Sequence, residues 1–489
     1  MQPDTPRDIP ALDHQHVWHP FTPMKQWRER DPIVIVEGDG EHLIDSNGNR
    51  YIDGTSSLWC NVHGHRVPQI DQAIRDQLNR IAHTTMLGLT NEPATQLAKR
   101  LCDITPGNLN KVFYSDSGAS AVEVALKMAV GYHHHQGEPD RNIFIAISGA
   151  YHGDTVGSMS VGYSDLFHKP FEKMTFTVAF ADSPDPAHCA EYATLAAQQQ
   201  DTDQPRQWAA EIDELNQTVM NRAIDSLRST LEQHTGRIAG VIIEPIVQGA
   251  AGIVVQPTGY LQQVAQLTQQ HGALLIADEV ATGFGRTGEM FACEHEQVAP
   301  DIMCLGKGIT GGYLPLAATL ATDRVEAAFC GELHEHKTLY HGHTYTGNPL
   351  GAAAALASLD LFEANGLLRA TQPKAARLAE LLNPLRDAER FPFVFDVRQK
   401  GLMCGIELAE PGAGGSSWLS GGTDLGDFGE SAVVPAPRRL AYEVCEAAKG
   451  DGVMVRPLGN TIVVMPPLAI SDEGLERLVA AVVGRIGLL

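Results

Sequence analysis

Short apolar runs recur through the middle of this chain with longer, helix-patterned stretches between them: "KVFY" (111–114), "NIFIAI" (142–147), "IAGVII" (238–243), "ALLIAD" (273–278), "DIMCL" (301–305) and "PLAATLA" (315–321). Runs this short and this continuously apolar fit strands buried on both faces, and the helical stretches between them supply the crossovers. The pattern therefore predicts an α/β fold around a buried, mostly parallel sheet. Before it, residues 32–53 alternate apolar and polar and break at "GDG" and "SNGN", which predicts a small antiparallel meander. After about Gly351 come an alanine-rich helix, "AAAALASLDLFEA", and strand-like pieces "FVFDVRQKGLMCGIEL" and "NTIVVMPP", which predict a smaller α+β lobe. The polar, Gln-rich stretch from Ala181 to Gly236 reads as a surface excursion followed by an outer helix, and the Gly/Ser-rich segment 411–437 as a flexible insertion.

Charge and cysteine usage narrow the function. A formal net charge of -23 argues against nucleic acid, whose affinity depends on lysines and arginines neutralising phosphates. No apolar run is long enough to cross a bilayer, and the opening "MQPDTPRDIPALDHQHVWHP" has neither a basic start nor an apolar segment, so the expectation is a cytoplasmic protein without membrane contact. The 8 cysteines contain no C-x-x-C, which leaves neither zinc-ligand spacing nor a redox pair and predicts free thiols. "HHH" at 133–135 follows a helical stretch and reads as a solvated helix end rather than a metal site, because adjacent helical residues diverge.

What ends each strand carries the chemistry. "CLGKGITGG" places Lys307 between two glycines, as expected where a flat ligand approaches the backbone closely. "LLIADEV" puts Asp278 and Glu279 at the sheet's carboxyl edge, where α/β proteins bind ligands. Glu244 leaves a strand in "VIIEPIVQG", and Tyr151 follows one in "SGAYHGDT". "VFYSDSGASAVEVALKMA" runs from a strand into a helix start at Gly118 and Ala119, an anion cradle or a plain capped helix with Ser120 and Glu123 in capping-box spacing. Lysine, acid, aromatic ring and anion cradle on one edge are the groups pyridoxal phosphate requires: the amine forms the Schiff base, the acid keeps the pyridine nitrogen protonated, and the ring face holds the plane. "GFGRTG" (283–288) matches the dinucleotide fingerprint of an NAD-dependent oxidoreductase. Four residues separate it from Asp278, however, and no early βαβ unit precedes it.

The stretch "IADEVATGFGRTGEMFACEHEQVAPDIMCLGKGITGG" resembles the signature region of class III pyridoxal-phosphate aminotransferases. "WHPFTPM", "VHGH", "FYSDSGASAVEVALKMA", "YHGDT", "IIEPIVQGAAG", "HGHTYTGNP" and "VRPLGNTIVVMPP" extend the resemblance across nearly the whole chain. The resemblance implies a fold-type I homodimer. Each chain would have a large domain (76–345) with a mostly parallel, seven-stranded sheet and a small α+β domain built from both chain ends (1–75 and 346–489). It implies small-molecule substrates and no metal. It makes Lys307 the Schiff-base lysine, Asp278 the pyridinium partner, Gly118 and Ala119 the phosphate loop, and Tyr151 the stacking ring. Glu244, His343 and Thr344 would also meet the cofactor, Thr344 from the other subunit. Substrate would meet Phe21, Leu58, Trp59, Tyr151, Arg286, Lys307 and Gly342, with Arg456 gripping its carboxylate. Within the family, the strings are most similar to those of enzymes that aminate the 7-keto carbon of 8-amino-7-oxononanoate in biotin synthesis. A broader ω-aminotransferase acting on diamines or 4-aminobutyrate-like acids is the alternative.

Three places depart from members that take nitrogen from S-adenosylmethionine, which read W-H-P-Y, S-S-W-W and H-G-P-T-F-M where this chain has "WHPFT", "SSLWC" and "HGHTYT". Phe21 lacks the tyrosine hydroxyl, Leu58 replaces an indole, and His343 and Thr346 replace Pro and Met. These changes resemble the branch that uses L-lysine, which makes lysine the expected donor.

Overall fold

The structure, a computed structural model, describes residues 8–189, 191–192, 205–411 and 438–489. Beyond Pro411, the stretch read as a flexible insertion lies outside the described residues. The expected meander forms as β1 (Ile35–Asp39), β2 (His42–Asp45) and β3 (Arg50–Asp53), each antiparallel to the next. Asp45 builds the turn between β2 and β3 by accepting the N–H groups of Asn47 (2.9 Å) and Asn49 (2.8 Å).

Next come β4 (Leu109–Ser115), β5 (Ile143–Ile147), β6 (Val178–Ala181) and β7 (Ile238–Ile243), and then a short two-stranded ribbon of β8 (Val247–Gln248) and β9 (Val254–Val255). With β10 (Leu274–Asp278), β11 (Ile302–Leu305) and β12 (Ala317–Thr322), four of these make a seven-stranded sheet in the order β4-β12-β11-β10-β7-β5-β6. Only β12 runs against the rest. All six apolar runs lie in this sheet. Its edge strand β6 was not anticipated, because "TVAFA" sits where the chain turns polar.

Side chains alternate between two cores. Leu274 and Ile276 pack with the Gly118–His135 helix, whereas Leu275 and Ala277 pack on the other face with the helices Pro205–Gln233 and Tyr260–Gln270. That two-sided burial is why the strands read as unbroken apolar runs.

The C-terminal part folds as β13 (Val394–Lys400) and β14 (Met403–Leu408), then β15 (Val453–Met454), β16 (Arg456–Leu458) and β17 (Thr461–Val464). Four of them form the sheet β13-β14-β17-β16, while β15 joins the N-terminal meander in parallel with β3. The two chain ends therefore share one sheet.

Three expectations need correction. A domain limit at residue 75 cuts the Pro68–Leu78 helix, which packs as one piece against the Pro349–Ala364 helix. The cap of the Gly118–His135 helix is Ser117, which accepts the Ser120 N–H at 3.2 Å. Glu123 reaches outward instead, to the N–H of Gly157 (2.6 Å) and the hydroxyl of Thr155 (2.5 Å). And His133 is no solvated end: it is buried, with Nε2 3.0 Å from the Ala239 carbonyl and Nδ1 3.2 Å from Glu138.

Candidate active site

Parallel strands put their carboxyl ends on one edge, and the loops leaving that edge converge. Asp278, the last residue of β10, is buried. Its Oδ2 lies 2.6 Å from Nδ1 of His152, and its Oδ1 accepts the Val280 N–H at 3.0 Å. Glu279 turns into the protein, where it accepts the Cys293 N–H (2.8 Å) and the Thr282 hydroxyl (2.6 Å). Of the two adjacent acids, only Asp278 joins the edge cluster. His152 was missed in the sequence. Its signal lay in "YHGDT", beside Tyr151 at a strand end, and its Nε2 is buried without a hydrogen-bond partner.

Glu244 leaves β7 and is buried, accepting the Gly249 N–H at Oε1 (2.9 Å) and the Tyr151 N–H at Oε2 (3.1 Å). Burial pushes its carboxyl up to about 7, with neighbouring His152 opposing and Asp278 adding to the rise. The Tyr151 hydroxyl donates to Asp154 at 2.7 Å, and burial pushes that phenol upward.

Lys307 follows β11 and opens a 3-10 turn with φ of 41°, a left-handed conformation that its surroundings must hold. The residue keeps some exposed surface, yet its amine is enclosed: burial lowers its pKa, while Asp278 and Glu244 pull it back up. Nζ sits 5.0 Å from the centre of the Trp59 ring. The flanking glycines serve the chain's packing on itself. A Cβ on Gly306 would fall 3.2 Å from Val280 and 3.4 Å from the Gly118 Cα, and one on Gly308 would fall 3.0 Å from Phe284. This self-packing is a need for glycine that the sequence reading, which expected room for a flat ligand, did not name.

Trp59 stands on a strained stretch in which Ser56, Ser57 and Trp59 all have positive φ. Buried Asp53 holds it by accepting the Ser57 N–H (2.7 Å) and bonding His65 (3.0 Å), and the Ser56 hydroxyl donates to the Met465 carbonyl (2.7 Å). At the phosphate-loop candidates, a Cβ on Gly118 would come 2.5 Å from Val280, so only glycine lets the helix start this close to the cluster. The first-turn N–H groups of such a helix have no intrahelical acceptor and favour an anion.

The remaining predicted residues are placed differently. Arg286 is buried, donating to the carbonyls of Pro466 (2.7 Å) and Asn61 (2.6 Å), and burial lowers its pKa to about 10. Its two bonds stitch two loops together, and its charge also acts on the Lys307 amine. No helix follows "GFGRTG"; the chain goes on through turns to the 3-10 turn Ala292–Glu296, which removes the structural basis of a dinucleotide site. Phe21, Leu58, Gly342, Thr344 and Arg456 are exposed. Phe21 meets only the edge of Phe167, with centroids 5.7 Å apart, among the ring contacts of the described residues. The His343 backbone N–H donates to Thr346 Oγ1 at 3.1 Å, while the His343 ring accepts the Tyr345 N–H at Nδ1 (3.2 Å) and leaves Nε2 buried without a partner.

The family model for Aminotransferase class-III matches residues 24–484. The chain belongs to the class-III aminotransferases. A curated relative from Geobacter sulfurreducens, named adenosylmethionine-8-amino-7-oxononanoate aminotransferase, is 47% identical over 96% of this chain and 94% of its own. The Aquifex aeolicus protein of the same name is 43% identical over 97% and 96%. Among solved structures, the Methanocaldococcus jannaschii enzyme of that name superposes with a TM-score of 0.83 at 40% identity, covering 98% of both chains. An (S)-enantioselective omega-transaminase from Thermomicrobium roseum gives 0.84 at 32% identity, covering 98% of this chain and 97% of its own.

The protein is therefore an aminotransferase with pyridoxal phosphate as its cofactor, and its residues fit that group. A buried carboxylate already bonded to a buried histidine wants a cation, the glycine-only helix start offers N–H groups to an anion, and a lysine with a lowered pKa stands between them. When bound, the cofactor supplies an electron sink for transferring an amino group. Asp278, aligned by its bond to His152, would meet the cation of that group, and the enclosed Lys307 amine, its pKa lowered by burial, would take and return a proton at Nζ.

Proposed function

We propose that the protein aminates the 7-keto carbon of 8-amino-7-oxononanoate, giving 7,8-diaminononanoate in biotin synthesis. The observation that carries the reading is the convergence of Lys307, the Asp278–His152 pair and Glu244 on one sheet edge, in a chain whose curated relatives bear that substrate in their names. Lys307 acts as the Schiff-base amine and proton shuttle, Asp278 as the partner of the pyridine nitrogen, Tyr151 as the stacking ring, and Gly118 and Ala119 as the phosphate cradle. Exposed Arg456 has no ion pair among the described residues and is free to take the substrate carboxylate with its bidentate fork.

The protein works as a homodimer in the cytoplasm. Exposed Thr344, on a loop tied to its own chain where Lys127 donates to the Tyr340 carbonyl (2.8 Å), is offered to a second copy's phosphate end. Exposed Trp18, Leu87 and Leu89 are further surface for that copy to cover, and the eight free thiols suit a reducing compartment. The small lobe takes both chain ends, joined by the pairing of β3 with β15.

L-lysine is the favoured donor, because Phe21 offers no hydroxyl and Leu58 no indole at the exposed rim. His343 and Thr346, in place of Pro and Met, are further departures from the adenosylmethionine-using pattern, and the His343 Nε2 is buried without a hydrogen-bond partner. The second reading, S-adenosylmethionine as donor, is favoured by the relatives' names. Product formation from 8-amino-7-oxononanoate with each donor separately, read by mass spectrometry, decides between them. Product with neither sends the assignment to the broader ω-aminotransferases.

A further inference from the structure

A second cluster of buried ionisable groups lies away from Lys307, where β13 and β14 meet the loop after β6. His188 Nδ1 is 2.6 Å from Asp185 and Nε2 is 2.9 Å from Glu407, and Arg398 pairs with Glu407 (2.8 Å) and Asp396 (2.9 Å). The Tyr192 hydroxyl donates to Asp396 at 3.0 Å. All the charged side chains are at most 11% exposed. Buried pairs of this kind contribute little net stability over an apolar core, so the placement of their donors is the more informative feature.

Two donors of Arg398 reach outside the network, Nη2 to the Thr461 hydroxyl at 3.5 Å and Nε to a backbone carbonyl. Arg398 Nε–H donates to the Gly252 carbonyl at 2.8 Å. Gly252 lies in a tight turn closed by the N–H groups of Gly252 (3.2 Å) and Ile253 (2.9 Å) on the Gly249 carbonyl. At the other end of that turn, the Gly249 N–H holds Glu244 at 2.9 Å, and a Cβ on Gly249 would come within 3.0 Å of the Trp59 ring. The segment is strained independently of this network: Ile246 has φ of 66° and Ile253 of 61°, a region that β-branched residues avoid. Such a backbone persists only while its surroundings over-determine it.

We propose that Arg398 is a positioning residue for the Lys307 site: by holding the Gly252 carbonyl, it fixes the Gly249–Ile253 turn and through it Glu244 and the seat of Trp59. The inference concerns this chain's own residues and stands whichever donor or acceptor the enzyme uses.

Arg398→Lys separates the two jobs of this side chain, because an ammonium keeps a positive charge for Glu407 and Asp396 but has no Nε–H for the Gly252 carbonyl. The readout is the pH midpoint for reductive methylation of the Lys307 amine, followed by peptide mass spectrometry on the full-length chain freed of cofactor, with thermal unfolding measured alongside. As the turn relaxes, water reaches the amine, and the midpoint rises by about one pH unit. In the holoenzyme kcat falls about tenfold, matching the smaller neutral fraction, while KM is unchanged. Val482→Ala, a cavity in the buried face of the Asp472–Ile486 helix, lowers the unfolding temperature and leaves the midpoint in place. Glu407→Gln, which removes a brace on the guanidinium, moves the midpoint the same way by less and serves if Arg398→Lys does not fold. A midpoint that stays at the wild-type value in the folded variant, or that moves no more than Val482→Ala moves it at equal loss of stability, overturns the proposal.

Discussion

The sheet edge and the rim above it are built on opposite principles. At the edge, Asp278 and His152 are bonded to each other, Glu244 accepts two backbone N–H groups, and the Lys307 amine is enclosed beside them. At the rim, Phe21, Leu58, Thr344 and Arg456 stand in solvent, with few bonds to the rest of the chain. The edge carries groups whose chemistry depends on desolvation and so must be fixed before any ligand arrives. In the proposed function, the rim carries groups that act only when something outside the chain meets them. If that division is right, changes at the edge should cost orders of magnitude and disturb pH behaviour, whereas changes at the rim should alter affinity and preference.

The largest effect is expected at Lys307. Lys307→Ala should reduce turnover by about 10⁴-fold in a stopped-flow or endpoint transamination assay, since no other amine is placed to shuttle the proton. Retention of more than a small fraction of activity would mean that the edge cluster is not where the reaction occurs. Asp278→Asn should cost about 10³-fold in kcat by removing the charge that favours a protonated pyridine nitrogen, with little change in KM. A comparable loss in KM instead would make Asp278 a substrate contact.

Glu244 tests the electrostatics without any turnover. Its carboxyl is pushed from the ordinary 4.5 to about 7, mainly by burial, so the folded state favours the protonated form. Its contribution to stability is therefore complete below about pH 4.5 and lost as pH rises through about 7, costing about 3 kcal/mol once ionised. Glu244→Gln removes that dependence. The difference in unfolding free energy between variant and wild type, measured on cofactor-free protein, should shift in the variant's favour by about 3 kcal/mol between pH 5 and pH 9. A flat difference would show that Glu244 is not held in the neutral form.

These expectations also mark what the sequence made legible. The apolar runs of the inner strands announced themselves because burial on both faces leaves no polar positions, and a strand's end is fixed once the strand is recognised. That is how Asp278, the last residue of its strand, and Glu244, the first after its strand, stood out by position, while Lys307 stood out by its flanking glycines just past a strand. β6 stayed hidden because an edge strand with one half-exposed face has a weaker signature. The string "YHGDT" marked a strand end but was read only for Tyr151, because the contact of His152 is made across the sheet edge, from the loop after β5 to the end of β10. The same limit hid how Arg286 is held: its motif says it is near the site, but only the structure shows its guanidinium bonded to two carbonyls. Rim residues were legible only through resemblance, since an exposed residue waiting for a partner looks like any other exposed residue.

Thr344 sharpens the contrast, because the rim reading assigns it to the other subunit's site. Thr344→Ala should weaken cofactor binding about tenfold, the loss expected of one hydrogen bond to a charged phosphate. Mixing Thr344→Ala with inactive Lys307→Ala chains should then recover activity, because each hybrid dimer pairs an intact Lys307 with the partner subunit's Thr344. No recovery on mixing would place Thr344 in its own chain's site or outside the reaction.

The smallest effect separates the two donors. Phe21 is exposed beside Phe167, and a tyrosine there adds one hydroxyl at the rim without disturbing any buried contact. If the missing hydroxyl is what disfavours an adenosyl donor, Phe21→Tyr should raise kcat/KM for S-adenosylmethionine about fivefold, the worth of about 1 kcal/mol of hydrogen bonding, and leave that for L-lysine unchanged. Equal change for both donors would mean that the hydroxyl acts on a step common to them. No change at all would shift the weight of donor choice onto Leu58, where the apolar side chain leaves a stacking surface unfilled.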